Sequence, residues 1–401
     1  MYFCGLMILN VKIVGNSFKM VAKTLFGFEE ILANELRQLG AQKVVIGNRM
    51  VSFYGDTGFM YKANLCLRTA IKILKPITSR KVRNVQDVYE FIQSIRWESY
   101  LDVDDTFAIY ATVNSTQFTH SKFIALKAKD AIVDKFRKEK GRRPNVDLDH
   151  PDLSIDIHIQ RDMCTVSLDS SGGSLHHRGY RTATNIAPIN EVLAAGLLLL
   201  SGWDGQCDFL DPMCGSGTMT IEAAMIACNI PANLNRKEFA FEKWLDWDLE
   251  LFEKIEEACL HKTRDFHHSI LGMDKAPSAI RKAQKNIENA NLTDFIKIKE
   301  GDFFRSVKEV EGPLHMVFNP PYDERLEIDI EKFYAQVGDT LKQNYPGTHA
   351  WFITGNLEAL KYVGLRPSRK IKVFNGKLEG RFVKYEMYSG SKKAKFQTKD
   401  K

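Results

Sequence analysis

Cys207-Asp208-Phe209-Leu210-Asp211-Pro212-Met213-Cys214-Gly215-Ser216-Gly217-Thr218 is an apolar run that ends in an acidic residue and breaks into a Gly-rich turn. Glycines between a strand and a helix let backbone N–H groups approach a ligand closely. Roughly a hundred residues on, His315-Met316-Val317-Phe318 is a second apolar run, and it delivers into Asn319-Pro320-Pro321-Tyr322. Two prolines remove N–H donors and stiffen the backbone, so carbonyl oxygens gather near one point beside an aromatic ring.

Outward from these runs, strands are expected at 207–211, 270–274, 295–300, 315–319 and 349–354, alternating with helices. That alternation predicts a parallel α/β sheet covered on both faces. Asn375-Gly376 is expected to join 369–374 to 381–388 as a closing antiparallel hairpin. Residues 230–268, with Trp244 and Trp247, read as an insertion. Upstream lie two α+β units. The first has a helix over Phe26–Leu39, a hairpin of 43–46 with 50–54, a helix over Gly58–Ile73 and a strand over 72–77. The second has helices at Val88–Ile95 and Ser121–Lys138 and strands at 106–113, 155–159 and 164–168. A helix over Ala187–Leu200, with Pro188 in its first turn, follows a connector. The expected organisation is an extension over 1–19 ahead of a start at Met20, then units at 20–80 and 81–170. A connector and helix occupy 171–205, the α/β domain 206–390 and a basic, disordered tail 391–401.

In an open α/β sheet, ligands bind beyond the carboxyl ends of the strands, where the strand order reverses. If 207–211 and 315–319 are neighbours there, both motifs face one crevice. Asp211 can accept a hydrogen bond from a ligand ammonium, Asp274 can take two ribose hydroxyls, and Asp302 can hold an adenine amine. Gly215, Ser216 and Gly217 approach through their backbone, while Cys214 serves as a small side chain for tight packing. Single aspartates after strands also cap helices, and a lone Gly-x-Gly is a weak signal. Thr220 stands where the dinucleotide fingerprint needs glycine, which disfavours NAD. An exocyclic base amine is a poor nucleophile. Acceptors at the Asn319 side chain and the Pro320 carbonyl would aim its lone pair, and Tyr322 would stack on a flipped base. Together the motifs point to methyl transfer from S-adenosylmethionine to a nucleobase amine.

The 401 residues carry a net charge of +6, with basic residues dense over Lys122–Arg143 and after Ser391. Such runs suit a polyanion or merely solvate a helix face. Lys122, Lys127, Lys129, Arg142, Arg143, Arg178 and Arg181 are the candidate RNA contacts, with His176 and His177 beside the last two. Seven scattered cysteines without a Cys-x-x-Cys pair argue against a disulfide framework and structural zinc, and for a reducing cytoplasm. No metal site is expected. Leu6-Met7-Ile8-Leu9 is too short to span a bilayer, so a soluble, cytoplasmic protein is expected.

The chain resembles the THUMP-domain RNA methyltransferases, most closely the N-terminal half of bacterial 23S rRNA guanine-N2 methyltransferases of the RlmL type. The resemblance runs from about Met20 to about Tyr388. Its strings include Lys129–Asp134, Arg143–Asp147, Pro151-Asp152-Leu153, Leu175-His176 with Arg178–Arg181, and Ala187-Pro188-Ile189 with Glu191. Asp211–Thr218 and Asn319–Leu326 complete it. It implies a ferredoxin-like segment, a THUMP domain that captures structured RNA and a Rossmann-like S-adenosylmethionine-dependent domain. The implied target is a guanine 2-amino group in 23S rRNA or a large-subunit precursor, with no membrane and no obligate protein partner. By motif, Asp211, Pro212, Cys214, Gly215, Ser216, Gly217, Asp274 and Asp302 would bind the cofactor. Asn319, Pro320, Pro321 and Tyr322 would hold the base. Residues before Met20 match nothing in the family, and a second methyltransferase half fused in some relatives does not follow here. The same modules serve tRNA guanine-N2 methyltransferases, and Asn-Pro-Pro-Tyr also serves adenine-amine methylation. A non-catalytic RNA-binding assembly factor would require damaged motifs, and both are intact.

Overall fold

The structure, a computed structural model, describes residues 17–182, 188–321 and 329–388. The N-terminal body comprises β1 (Phe18–Thr24), α1 (Glu29–Leu39), β2 (Gln42–Gly47), β3 (Met50–Gly55), α2 (Thr57–Cys66) and β4 (Ala70–Lys81). It continues through α3 (Val85–Ser94), β5 (Thr106–Asn114), α4 (Ser121–Lys140), β6 (Asn145–Val146), β7 (Leu153–Gln160) and β8 (Met163–Asp169). The C-terminal body starts with α5 (Glu191–Ser201), β9 (Asp208–Asp211), α6 (Thr218–Ala227) and α7 (Leu249–Leu260). Next come β10 (Ile270–Asp274), α8 (Pro277–Asn289), β11 (Ile296–Glu300), β12 (Leu314–Phe318) and α9 (Ile330–Asn344). It ends with β13 (Thr348–Thr354), β14 (Arg369–Asn375) and β15 (Leu378–Glu386).

The two upstream α+β units share one eight-stranded sheet, ordered β2-β3-β1-β4-β8-β7-β5-β6. The twelve-residue β4 makes this possible. Its first residues pair with β1, and from Leu74 onward it pairs antiparallel with β8. The ladder begins at Phe18, opposite Gly55, so the strand starts within the stretch read as an extension. The helix expected over Gly58–Ile73 ends at Cys66. The N–H groups of Arg68 and Thr69 go to the Glu35 carboxylate at 2.8 and 3.1 Å instead of to helical carbonyls, and the chain turns into β4.

The second sheet runs β11-β10-β9-β12-β13-β15-β14, with the first five strands parallel and β15 antiparallel to both of its neighbours. Chain order reverses between β9 and β12, which are hydrogen-bonded neighbours. α5 begins at Glu191 with the Asn190 side chain accepting from the Leu193 N–H, so Pro188 precedes the cap and lies outside the first turn. The closing hairpin is tighter than expected. Asn375 pairs with Leu378, and Gly376 at φ +62° makes the two-residue turn.

The insertion packs away from the sheet that follows it. Phe239, Phe241, Trp244 and Cys259 belong to the core of the N-terminal body. The Tyr61 ring of α2 meets Phe241, Trp247 and Phe252 at 4.5, 5.2 and 5.9 Å. Sγ of Cys66 and Cys259 touch at 3.4 Å. The insertion is therefore a clamp that joins the two bodies. Among the described residues, no helix is long and apolar enough to cross a membrane.

Candidate active site

The carboxyl ends of β9 and β12 lie side by side at the reversal point, with β10 and β11 on the far side of β9. Both motifs therefore open on one crevice. Gly215 and Gly217 have φ of +54° and +84°, a region where a Cβ is strained. A Cβ at Gly217 would also lie 3.2 Å from Cβ of Ala283 on α8. Gly217 is the residue before α6, so no side chain caps that helix and its first-turn N–H groups are left for a ligand.

Asp211, at the end of β9, is 3% exposed and accepts the Met213 N–H at 3.1 Å. Burial pushes its carboxyl up to about 8, and the neighbouring Asp274 charge adds to the rise. Asp274, at the end of β10, accepts the Gly215 N–H and the Ala276 N–H, each at 3.0 Å. Asp302, two residues beyond β11, accepts the Phe304 N–H at 3.0 Å, and its half-open carboxylate lies 4.0 Å from the Arg305 Nε. Three acids thus line up across three adjacent strands, although each also serves its local backbone. The Cys214 N–H donates to the Met273 carbonyl at 2.8 Å. Burial, with Asp211 and Asp274 alongside, holds its thiol well above the ordinary range, which suits packing and not nucleophilic attack.

Across the crevice, Asn319 follows β12, and its Oδ1 is buried without a partner among the described residues. A buried amide oxygen left unpaired is costly and marks a place where a donor is expected. Pro320 is buried and Pro321 half-buried. Tyr322 lies outside the described residues.

The basic candidates divide. Lys122 and Arg143 are exposed, and Lys127 lies with its Nζ 5.9 Å from the Phe123 ring centroid. Lys129 pairs with Asp130 at 2.6 Å, and Arg142 pairs with Asp104. These residues sit on or just after α4, in the N-terminal body and apart from the crevice. Arg178 does not belong with them. Its side chain is fully buried, with Nε 3.3 Å from Glu222 Oε1 and its other nitrogens on the Leu175 and Arg68 carbonyls and Asn233 Oδ1. A guanidinium enclosed in this way cannot reach a phosphate. Arg181 is also turned inward. Its Nη2 donates to the Ile189 carbonyl at 2.8 Å and to Thr218 Oγ1 at 2.7 Å. Its Nε lies 3.0 Å from Glu191 Oε1, off the hydrogen-bonding direction. Burial raises the Glu191 carboxyl to about 7.

Sequence reasoning missed Asn286. It is 1% exposed, accepts the Thr182 N–H at 3.1 Å and donates from Nδ2 to the Ser216 carbonyl at 3.0 Å. The available signal was an amide on the apolar face of α8, among Ala279, Ile280, Ala283 and Ile287. Among the described residues, no three His, Cys, Asp or Glu side chains cluster as metal ligands.

Comparison with known proteins adds three matched families. Residues 178–384 match the family described as RMKL-like, methyltransferase domain; residues 82–169 match the THUMP domain and 19–74 the RlmL ferredoxin-like domain. The Synechocystis protein slr0064, described as a candidate RNA methyltransferase, is 38% identical over 368 residues, covering 90% of this chain and 95% of that protein. The ribosomal RNA large subunit methyltransferase K/L of Syntrophotalea carbinolica is 36% identical over 381 residues. That match covers 92% of this chain but 53% of the relative, so the chain spans about half the length of that protein. The crystal structure of SMU.472, a candidate methyltransferase complexed with SAH, superposes with a TM-score of 0.82 at 29% identity. It covers 94% of this chain and 99% of that one.

Proposed function

This chain belongs to the RMKL-like methyltransferases that carry a THUMP domain, and on that premise we propose that it methylates the 2-amino group of a guanine in large-subunit ribosomal RNA. S-adenosylmethionine is the donor and supplies, when bound, an electrophilic methyl group. The residues present fit it. The uncapped α6 end and the two left-handed glycines form a cradle of backbone N–H groups, and a Cβ at Gly217 would press on Ala283 beneath it. Asp211 would take the cofactor ammonium and Asp274 its ribose hydroxyls, each keeping oxygen lone pairs beyond those its backbone partners use. Asp302 would hold the adenine amine.

The Oδ1 of Asn319, unpartnered among the described residues, carries the reading of the acceptor. Together with the Pro320 carbonyl, it would accept both protons of an exocyclic amine, favour a pyramidal nitrogen and direct the lone pair across the crevice. Tyr322 would stack on the base after it leaves its helix. The amine loses its proton readily once methylated, so positioning and preorganised acceptors carry the rate and no strong base is needed. Exposed lysines of α4 would hold the RNA backbone, with the THUMP region doing the capture.

The test is methyl transfer from labelled S-adenosylmethionine to unmodified 23S rRNA and, separately, to unmodified tRNA, followed by nucleoside mass spectrometry. N2-methylguanosine in the 23S sample alone is expected, and Asn319→Ala should lower kcat about a hundredfold while cofactor binding persists. N2-methylguanosine in tRNA alone would move the protein to a tRNA substrate, and methylated adenine would overturn the guanine assignment.

A further inference from the structure

We infer that Arg181 and Asn286 are positioning residues for the cofactor turn, holding it from outside in the shape that receives the cofactor's amino-acid end. This rests on the methyltransferase reading above. The turn's own hydrogen bonds, Met213 N–H to Asp211 and Gly217 N–H to the Cys214 carbonyl, leave the Gly215 N–H and the Ser216 carbonyl to partners elsewhere. Two of its residues are glycines at positive φ, and the helix that it opens has no side-chain cap. Beside the Cys214 N–H bond to the Met273 carbonyl, three side chains from other elements hold it. Asp274 takes the Gly215 N–H at 3.0 Å, Asn286 takes the Ser216 carbonyl at 3.0 Å, and Arg181 takes the Thr218 hydroxyl at 2.7 Å. The Asn286 contact sets the plane of the 216–217 peptide. The Arg181 contact sets the first residue of α6. With both in place, the first-turn N–H groups stay aimed out of the helix end, where a ligand carboxylate is best received.

Both residues also tie the turn to the connector that arrives from the N-terminal body. One Asn286 carboxamide accepts from the Thr182 N–H while it donates to Ser216. Asn289, one turn further along α8, donates to the Tyr180 carbonyl and to Thr182 Oγ1 at 3.1 and 2.8 Å, so the connector is seated on α8 independently of Asn286. Arg181 in turn bridges the starts of two helices, through the Ile189 carbonyl and Glu191 beside α5 and through Thr218 on α6. The planar guanidinium sets Nη2 on both the Ile189 carbonyl and the Thr218 hydroxyl while its Nε edge lies against the Glu191 carboxylate, a placement that a lysine ammonium does not reproduce.

The experiment measures calorimetric binding of two ligands to the full chain and to its Asn286→Asp and Arg181→Lys variants. S-adenosylhomocysteine has the amino-acid end; 5′-methylthioadenosine has the same adenosine without it. Asn286→Asp keeps the acceptor for Thr182 but sets a carboxylate oxygen against the Ser216 carbonyl. Each variant is expected to bind S-adenosylhomocysteine about tenfold more weakly, the loss of one well-directed hydrogen bond, with 5′-methylthioadenosine changed less than about twofold. Equal losses for both ligands would mean a merely structural role and overturn the inference, as would no loss for either. If the unaltered chain bound neither ligand, the methyltransferase reading itself would fall, and the inference with it.

Discussion

Asp211 puts a carboxyl in a nearly dry setting with one backbone hydrogen bond and a second acid nearby. Burial makes it a much weaker acid, pushed up to about 8 from an ordinary 3.8. The folded carboxyl therefore keeps a proton that the unfolded chain has lost, so stability falls as pH rises from about 4 and levels off above about 8. Cofactor binding has the opposite sign. An ammonium needs the ionised carboxylate, so affinity for S-adenosylhomocysteine should rise toward pH 8, by up to tenfold per unit, and level off above it. Calorimetry between pH 6 and 9 checks this, and Asp211→Asn should bind weakly with the slope gone. A flat profile in the unaltered chain would remove Asp211 from ammonium binding. The acid's place at a strand end was legible in the sequence. Its protonation was not, because that depends on how completely α6 and the neighbouring strands exclude water.

At the scale of elements, α6 does two jobs, and only one is written in its sequence neighbourhood. Its first residue meets the Gly-rich turn proposed to receive the cofactor, while Glu222, one turn along, anchors Arg178 and the Tyr180 hydroxyl at 3.3 and 3.1 Å. Arg178 reaches from there to the Arg68 carbonyl between α2 and β4, so α6 is tied to the N-terminal body. Arg178→Ala would leave Glu222 buried without its cation and should cost about 3 to 5 kcal/mol of stability. Denaturant unfolding measures that loss, and the salt dependence of RNA binding by the folded variant should not change. An unaltered midpoint with a shallower salt dependence would return Arg178 to the RNA surface. Spacing could not separate Arg178 from a surface cation, because the basic composition of the connector is the same either way. What differs is a carboxylate 44 residues away that packing brings into contact.

For the whole molecule, the basic helix α4, proposed to hold the RNA backbone, and the crevice occupy separate bodies, so backbone affinity and chemistry should separate by mutation. Replacing both Lys122 and Lys127 by Ala should reduce the slope of log affinity against log salt by roughly 1.5 to 2, with S-adenosylhomocysteine binding unchanged. Filter binding across a salt series checks it, and an unchanged slope would place the RNA elsewhere. Lys129 and Arg142 should matter less, since each has an acidic neighbour to leave. The sequence by itself determined the alternation of strands and helices, the Gly turn after β9 and the place of the Asn319-Pro320-Pro321 segment directly after β12. These are local properties: apolar runs set periods, glycines permit left-handed backbone, and prolines withdraw donors. Strand neighbours, the merging of two α+β units through β4 and β8, and the docking of the 230–268 insertion on the N-terminal core were decided only by tertiary structure. So were the inward turn of Arg178 and Arg181 and the role of Asn286. Each depends on burial and on partners distant in the chain, and whether a polar side chain faces water or a buried acceptor is settled only when those partners meet.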